Sequence, residues 1–366
     1  MTPPEGYTFL ASTVGMNKLW GPLSRFGPSF EIQRIFSDYL PLPLIKGQLE
    51  TVRKIPKNID LTYSLDHCVF REEAWVLEVT FELPFTLAGS ERQLVNQLGT
   101  VKQLLNSRNC KKIAFQLEVA KDAFVRILGD FVNQKAELIP RGGNPRYFER
   151  VEGDGKVRLL FVNSSNILSN YSFYSKGGPE VIAAYLKLRK QFDNIELVVR
   201  SRLPRSYRSL LSGLSDVKLI EDTISWTDLD SEWKSADIFV HPHFTTPSYA
   251  IIDAMSYGLP VVSTCNWGMP EIVKDGFHGY LVQSNLVREY TEGPLIHNYG
   301  GEFRKEVLKG PQEDVVEGLV ARLGQLIENP NLRRRLGDAA RTEVAIGSHS
   351  VSRRNKTLKR LLDEAI

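Results

Sequence analysis

HPHFTTPSYAIIDAMSYGLPVVST, residues 241–264, reads as the end of a strand, a loop, a helix, a stop and a new strand. The apolar run at 238–240 supplies the strand, and 244–247 forms the loop at its C-terminal end. In open parallel sheets, ligands bind outside the carboxyl ends of the strands. Ser248 suits the N-cap of the helix, because its hydroxyl can accept from an otherwise unpaired backbone N–H. The first helical N–H groups then face the ligand crevice, and Gly258 stops the helix. Asp253 lies five residues in, among apolar Ile251, Ile252, Ala254 and Met255. A carboxylate there can accept from two sugar hydroxyls, as acidic residues do for ribose in dinucleotide sites. A solvated helix position is the plainer alternative.

Outward from this block the same alternation recurs. Strands are expected at 60–63, 74–79, 112–115, 158–162, 196–199, 238–240 and 260–263, with helix-period segments such as 178–192 and 248–257 between them. Strand, helix, strand in repetition predicts an α/β fold with parallel sheets. KVRLLFV and IELVVR are almost wholly apolar, as strands covered on both faces are. The polar, glycine-bearing RVEGDGKV suggests a boundary. The expected domains are therefore 1–152 and 153–345, with a basic amphipathic helix at 346–366 packing back on the first. Residues 285–315 break the alternation, and a connection of that length is usually functional, mobile or a surface insertion.

Bulk properties exclude several classes. Of 366 residues, 42% are hydrophobic and 24% charged, which are globular values. The net charge is only +3, from 46 basic and 43 acidic residues, so charge gives no case for nucleic-acid binding. A local basic patch against anionic lipid, and so peripheral contact with the inner face of a membrane, stays open. Cys68, Cys110 and Cys265 stand far apart, which is neither a disulfide framework nor a zinc site and fits a reducing cytoplasm. Residues 1–10 do not read as a signal peptide, and no apolar run reaches membrane-spanning length.

Lys176, Gly177 and Gly178 precede a helix beginning near Pro179, a residue suited to the first helical turn. Free N–H groups at a helix start, close backbone approach at glycine and a lysine charge together suit a diphosphate. A KGG turn before a helix is common, so this signal needs its context. Three other features are set aside. Asp228-Leu229-Asp230 spells a metal-binding DxD, but helix capping explains it better. His241 and His243 lie two apart without a third ligand nearby, so they read as packing or site lining. Arg333, Arg334 and Arg335 read as a solvated helix face.

In collinear order, LLFVN, SKGGPEVIAAYLKL, IELVVR, SADIFVHPH, TTPSYAIIDAMSYGLPVVST, GMPEIVKDGFHGYLV and IENPNLRRRLGDAAR resemble the C-terminal half of GT-B retaining glycosyltransferases of the family-4 type, over residues 157–341. The N-terminal half is similar to that family's acceptor domain only in divergent form, and no glycine-rich loop stands near its start. The resemblance implies two Rossmann-like domains facing a cleft, with a nucleotide-sugar donor held mainly by the second. It implies transfer to a glycan, lipid-linked or other acceptor, with retention and with no metal or other cofactor. Lys176 falls where the family neutralises the donor diphosphate, with Gly177 and Gly178 beside it. The family's basic partner has no counterpart after FVN, and Arg200 or Arg202 could substitute. Asp253 falls on the glutamate that holds ribose. Thr245 falls on the glutamate that contacts the donor sugar, and Ser248 on a loop glycine; Thr246 and Tyr249 complete the donor loop. His67, Glu78, Glu82 and Glu118 are acceptor-side candidates. Loss of a carboxylate at Thr245 leaves an impaired nucleotide-sugar-binding subunit as one alternative, and a sugar-nucleotide epimerase as another.

Overall fold

The computed structural model describes residues 60–66, 68, 74–79, 91–149, 155–163, 170–286 and 302–366. Two compact units emerge. Of the described residues, those from 60 to 141 and 352–366 make up one, and those from 142 to 286 and 302–351 the other.

In the first unit, β1 (Thr62–Leu65), β2 (Trp75–Val79), β3 (Cys110–Phe115) and β4 (Ala136–Leu138) form a parallel sheet in that order. Helices α1 (Glu91–Asn106), α2 (Glu118–Leu128) and α3 (Phe131–Lys135) lie between the strands in sequence. Every residue of β2 is buried, including Glu78. The Lys135 ammonium donates to the carbonyls of Leu105, Ser107 and Cys110 at 2.8, 2.6 and 2.8 Å. A cation is favourable at the negative end of α1, where carbonyls lack intrahelical partners.

In the second unit the strands are β5 (Val157–Val162), β6 (Ile195–Arg200), β7 (Val217–Ile220), β8 (Ile238–His241), β9 (Val261–Thr264) and β10 (Gly279–Val282). The helices are α4 (Asn170–Ser175), α5 (Gly178–Leu188), α6 (Arg205–Leu211), α7 (Trp226–Ser235), α8 (Tyr249–Ser256), α9 (Met269–Ile272), α10 (Glu302–Leu308), α11 (Glu313–Glu328) and α12 (Pro330–Ile346). All neighbouring strands run parallel in the order β10-β9-β8-β5-β6-β7. The chain builds outward from β5 through β6 to β7, then returns to place β8 on the other side of β5. That reversal creates a crevice at the carboxyl ends of β5 and β8.

The last helix, α13 (Val351–Ala365), supplies Leu358, Leu361, Leu362 and Ala365 to one buried cluster with Val76, Ala114 and Ile139 of the first unit. Spacings of three and four put these side chains on one helical stripe. Residues 142–149 belong by packing to the second unit: Gly143 donates to the His349 carbonyl at 2.9 Å, and its own carbonyl accepts from Val351. Residues 150–154, the expected linker, lie outside the described residues.

Of the stretch read as a break, 287–301 lies outside the described residues and 302–308 is α10. Arg304 of α10 stacks over the Tyr171 ring of α4 at 4.5 Å. Among the described residues no helix is long and apolar enough to cross a membrane.

Candidate functional site

The loop between β8 and α8 sits at the strand-order reversal. Ser248 caps α8, its hydroxyl accepting from the Ala250 N–H at 3.3 Å. Lys176, at the turn between α4 and α5, reaches this loop: its ammonium donates to the Thr246 carbonyl at 3.0 Å and to Thr245 Oγ1 at 3.4 Å. The backbones meet as well, the Phe244 N–H donating to the Ser175 carbonyl at 2.9 Å. Thr245 is buried with its hydroxyl turned to the lysine, while Thr246 and Ser248 are half-buried and Tyr249 is exposed.

The two glycines after Lys176 have a packing reason. Gly177 has φ +75°, and a Cβ there would lie 2.1 Å from the Pro242 carbonyl oxygen. At Gly178 a Cβ would lie 2.2 Å from the Phe173 ring. The close approach that glycine permits is thus made by the protein's own β8 loop and α4. It holds the Lys176 turn against the loop that starts α8.

Arg200 ends β6 and donates to the Asn163 carbonyl at 2.7 Å, bracing the chain as it leaves β5. Burial pulls its pKa down. Arg202, two residues on, is exposed. Asn163 also donates to Ser201 at 3.2 Å and accepts from Ser172 at 3.0 Å, so the carboxyl ends of β5 and β6 and the start of α4 are tied together.

Asp253 keeps exposed surface, yet the protein around it displaces enough solvent to raise its carboxyl pKa to about 6, against the opposing charge of Arg146. His241 is wholly buried, with both ring nitrogens unpartnered, and stacks on Phe239 and Phe161 at centroid separations of 5.6 and 5.8 Å. Burial first, then the Lys176 charge, pushes its pKa down to about 3, so the ring is neutral. His243 Nδ1 lies 3.2 Å from Ser263 Oγ, and its carbonyl accepts from Asn266 at 3.0 Å. Among the described residues no three His, Cys, Asp or Glu side chains converge as a metal site would need.

Residues 166–293 match the family model described as "Glycosyl transferases group 1". That stretch of the second unit is similar to the domain this family shares. An uncharacterized glycosyltransferase of Methanocaldococcus jannaschii is 27% identical over 214 residues, covering 54% of this chain and 55% of that protein. An MMP α-(1→4)-mannosyltransferase of Mycolicibacterium hassiacum is 25% identical over 246 residues, covering 65% and 51%. The chain spans about half the length of these curated relatives. Among solved structures, Anabaena HepE in complex with UDP and glucose superposes with a TM-score of 0.54 at 15% identity, covering 79% of this chain and 71% of that one. The fold is that of GT-B glycosyltransferases.

In the second unit the remaining sequence candidates resolve into structural roles. Ser225 caps α7, accepting from the Asp228 N–H at 3.1 Å and donating to its carboxylate at 2.7 Å. Asp230 pairs with Lys234 and accepts from Tyr257. The DxD thus lies inside α7, with Ser225 rather than an aspartate as the cap. Arg333 donates to the carbonyls of Leu326 and Ile327 at the end of α11, at 2.6 and 2.9 Å, while Arg334 and Arg335 are exposed.

On the acceptor side, His67 and Glu82 lie outside the described residues. Glu118 is half-exposed at the first turn of α2 and pairs with Lys121. Glu78 is wholly buried, and its two oxygens accept from Arg354, Gln116 and Tyr63. Those partners make it a structural carboxylate, a role hidden in the sequence because Arg354 is 276 residues away.

Sequence reading also missed Glu180, in the first turn of α5. It is buried, with Oε1 accepting from the Gln312 N–H at 3.0 Å and Oε2 unpartnered. Burial raises its pKa to about 8; the Gln312 N–H opposes the rise and Asp314 adds to it. The folded value exceeds the unfolded one, so stability is full below the unfolded pKa and falls as pH rises toward about 8. Glu180→Gln keeps an acceptor for Gln312 but does not titrate. Its stability advantage over wild type should grow from near zero at about pH 4.5 to ~4 kcal/mol at about pH 8. Urea unfolding across that range checks this, and a pH-independent difference would contradict it.

Proposed function

We propose that this chain is a glycosyltransferase that moves a sugar from a nucleotide-diphosphate donor to a glycan, lipid-linked or other acceptor, with retention and without metal. One observation carries the reading. The Lys176 ammonium lies at the strand-order reversal, against the loop whose next residues begin α8. A cation beside the positive end of a helix suits a pyrophosphate.

In the proposed reaction an acceptor hydroxyl oxygen bonds to the anomeric carbon as the bond from that carbon to the diphosphate oxygen breaks. The diphosphate leaves with the electron pair, and the acceptor proton passes to a phosphate oxygen. Charge on the leaving group is stabilised by Lys176 and by the positive end of the α8 dipole, placed before the reaction begins. Arg200 or Arg202 adds charge from the end of β6. Thr246 and Ser248 supply hydroxyls to the donor sugar, and Asp253 receives the ribose. The three cysteines are free, which supports a reducing compartment.

A thermal-shift series with UDP, GDP, ADP and dTDP tests the reading, because a ligand that binds only the folded state raises its apparent stability. At least one nucleotide should raise Tm, and the matching nucleotide sugar should then release nucleotide in the presence of acceptor. Failure of all four to bind would refute the proposal. A second reading rests on Thr245, which brings no carboxylate to the donor sugar: a binding subunit without turnover. Nucleotide binding with no sugar release, over a broad panel of donors and acceptors, would favour it.

A further inference from the structure

Asp253 has a neighbour that no sequence motif marks. The segment 142–149 runs beside α8, and Arg146 is fixed there through its main chain. Its N–H donates to the Ser256 carbonyl at 2.8 Å, and its carbonyl accepts from Arg341 Nη1 at 3.3 Å. Gly143 locks the same segment: a Cβ there would lie 2.6 Å from Ile252 and 2.9 Å from Ser256. Asp253 is one turn back from Ser256 on that helix, and residues three apart are neighbours on a helix surface. The arginine side chain is exposed, and its charge acts on Asp253, Asp230 and Tyr257.

We propose that Arg146 is a positioning residue for the donor nucleoside: from its place beside α8 it keeps the Asp253 carboxylate ionised, ready to accept from ribose hydroxyls. This rests on the ribose role given to Asp253 above. A protonated Asp253 could accept from one hydroxyl at most on equal terms, whereas the carboxylate offers two equivalent oxygens. Burial works against the ionised form. Among the described residues, Tyr257 lies one turn on from Asp253 along α8, Asp230 and Lys234 of α7 reach Tyr257 and each other, and Arg341 of α12 approaches Gly258 at the end of α8. Asp230 is engaged by Lys234 and Tyr257, and Arg341 pairs with Asp338. Arg146 is the cation that acts directly on Asp253.

The test is binding of whichever of UDP, GDP, ADP or dTDP gives the largest thermal shift, titrated calorimetrically from pH 5 to pH 8. Wild type should lose affinity as pH falls through about 6, as Asp253 takes up a proton. Arg146→Ala and Arg146→Gln should move that loss upward by about one pH unit, while binding at pH 8 stays within about threefold of wild type. Arg146→Lys should restore the wild-type profile. Asp253→Asn should bind weakly at every pH, with a flat profile. If Asp253→Asn binds like wild type throughout, the ribose role falls. If Asp253→Asn is weak and flat but the Arg146→Ala and Arg146→Gln profiles overlay wild type, the Arg146 inference alone falls. If none of the four nucleotides binds at any pH, both are overturned.

Discussion

Replacing Lys176 with alanine should lower sugar transfer by about 100- to 1,000-fold, the usual loss when one pre-placed stabiliser of developing negative charge is removed. Nucleotide affinity should fall by about tenfold or more, the scale of a hydrogen bond to a charged group. Both effects follow from where the side chain sits. Its ammonium donates to the Thr246 carbonyl and the Thr245 hydroxyl, which fix it against the loop that starts α8. Removing it also deletes two contacts between the α4–α5 turn and the β8 loop. Thermal stability must therefore be measured alongside, and the fold should survive because the Phe244-to-Ser175 backbone bond remains. Steady-state transfer and nucleotide titration of Lys176→Ala are the decisive measurements. Turnover near wild type would end the diphosphate role.

Arg354→Ala should strongly destabilise the first unit. Arg354 Nη2 lies 3.0 Å from each oxygen of Glu78, whose exposure is 0%. Removing one partner of a buried pair strands the other charge and typically costs about 3–5 kcal/mol. Gln116 and Tyr63 would remain on the carboxylate, but neither carries a positive charge. The same change loosens α13, whose Leu358, Leu361 and Leu362 pack with Val76 and Ala114. Urea unfolding followed by the fluorescence of buried Trp75 should show the loss as an earlier transition. A double change to Glu78→Leu and Arg354→Met should recover much of it, because the Glu78 charge goes with its partner. A loss below about 1 kcal/mol in Arg354→Ala would show that the pair does not hold this helix.

Much of the second unit was legible because its signals are local. Strands such as VRLLFV and IFVH are continuous apolar runs, covered on both faces, and the Ser248 cap and Gly258 stop mark α8 with adjacent residues. β4, β7 and β10 escaped because they are only three or four residues long, and β4 and β7 are also mostly half-exposed. The KGG turn was recognised, but its reason was not. Glycine suits both an incoming anion and a tight backbone crossing, and only the position of Pro242 reveals the crossing. The site residues divide the same way. Lys176 and Asp253 sit in motifs whose order along the chain is informative. Glu78, Glu180 and Arg146 take their roles from partners that approach from elsewhere in the chain.

By itself, the sequence determined the alternation of strands and helices, the helix starts at Gly178 and Ser248, and the lysine that precedes the first of them. These depend on hydrophobic period, cap chemistry and backbone freedom, which act over a few residues. Only the tertiary structure decided that β8 returns beside β5, that Lys176 lands on the β8 loop, and that Arg354 closes over Glu78. Sheet order and the pairing of buried charges are set by which faces must be covered together, and that is a property of the whole packed chain.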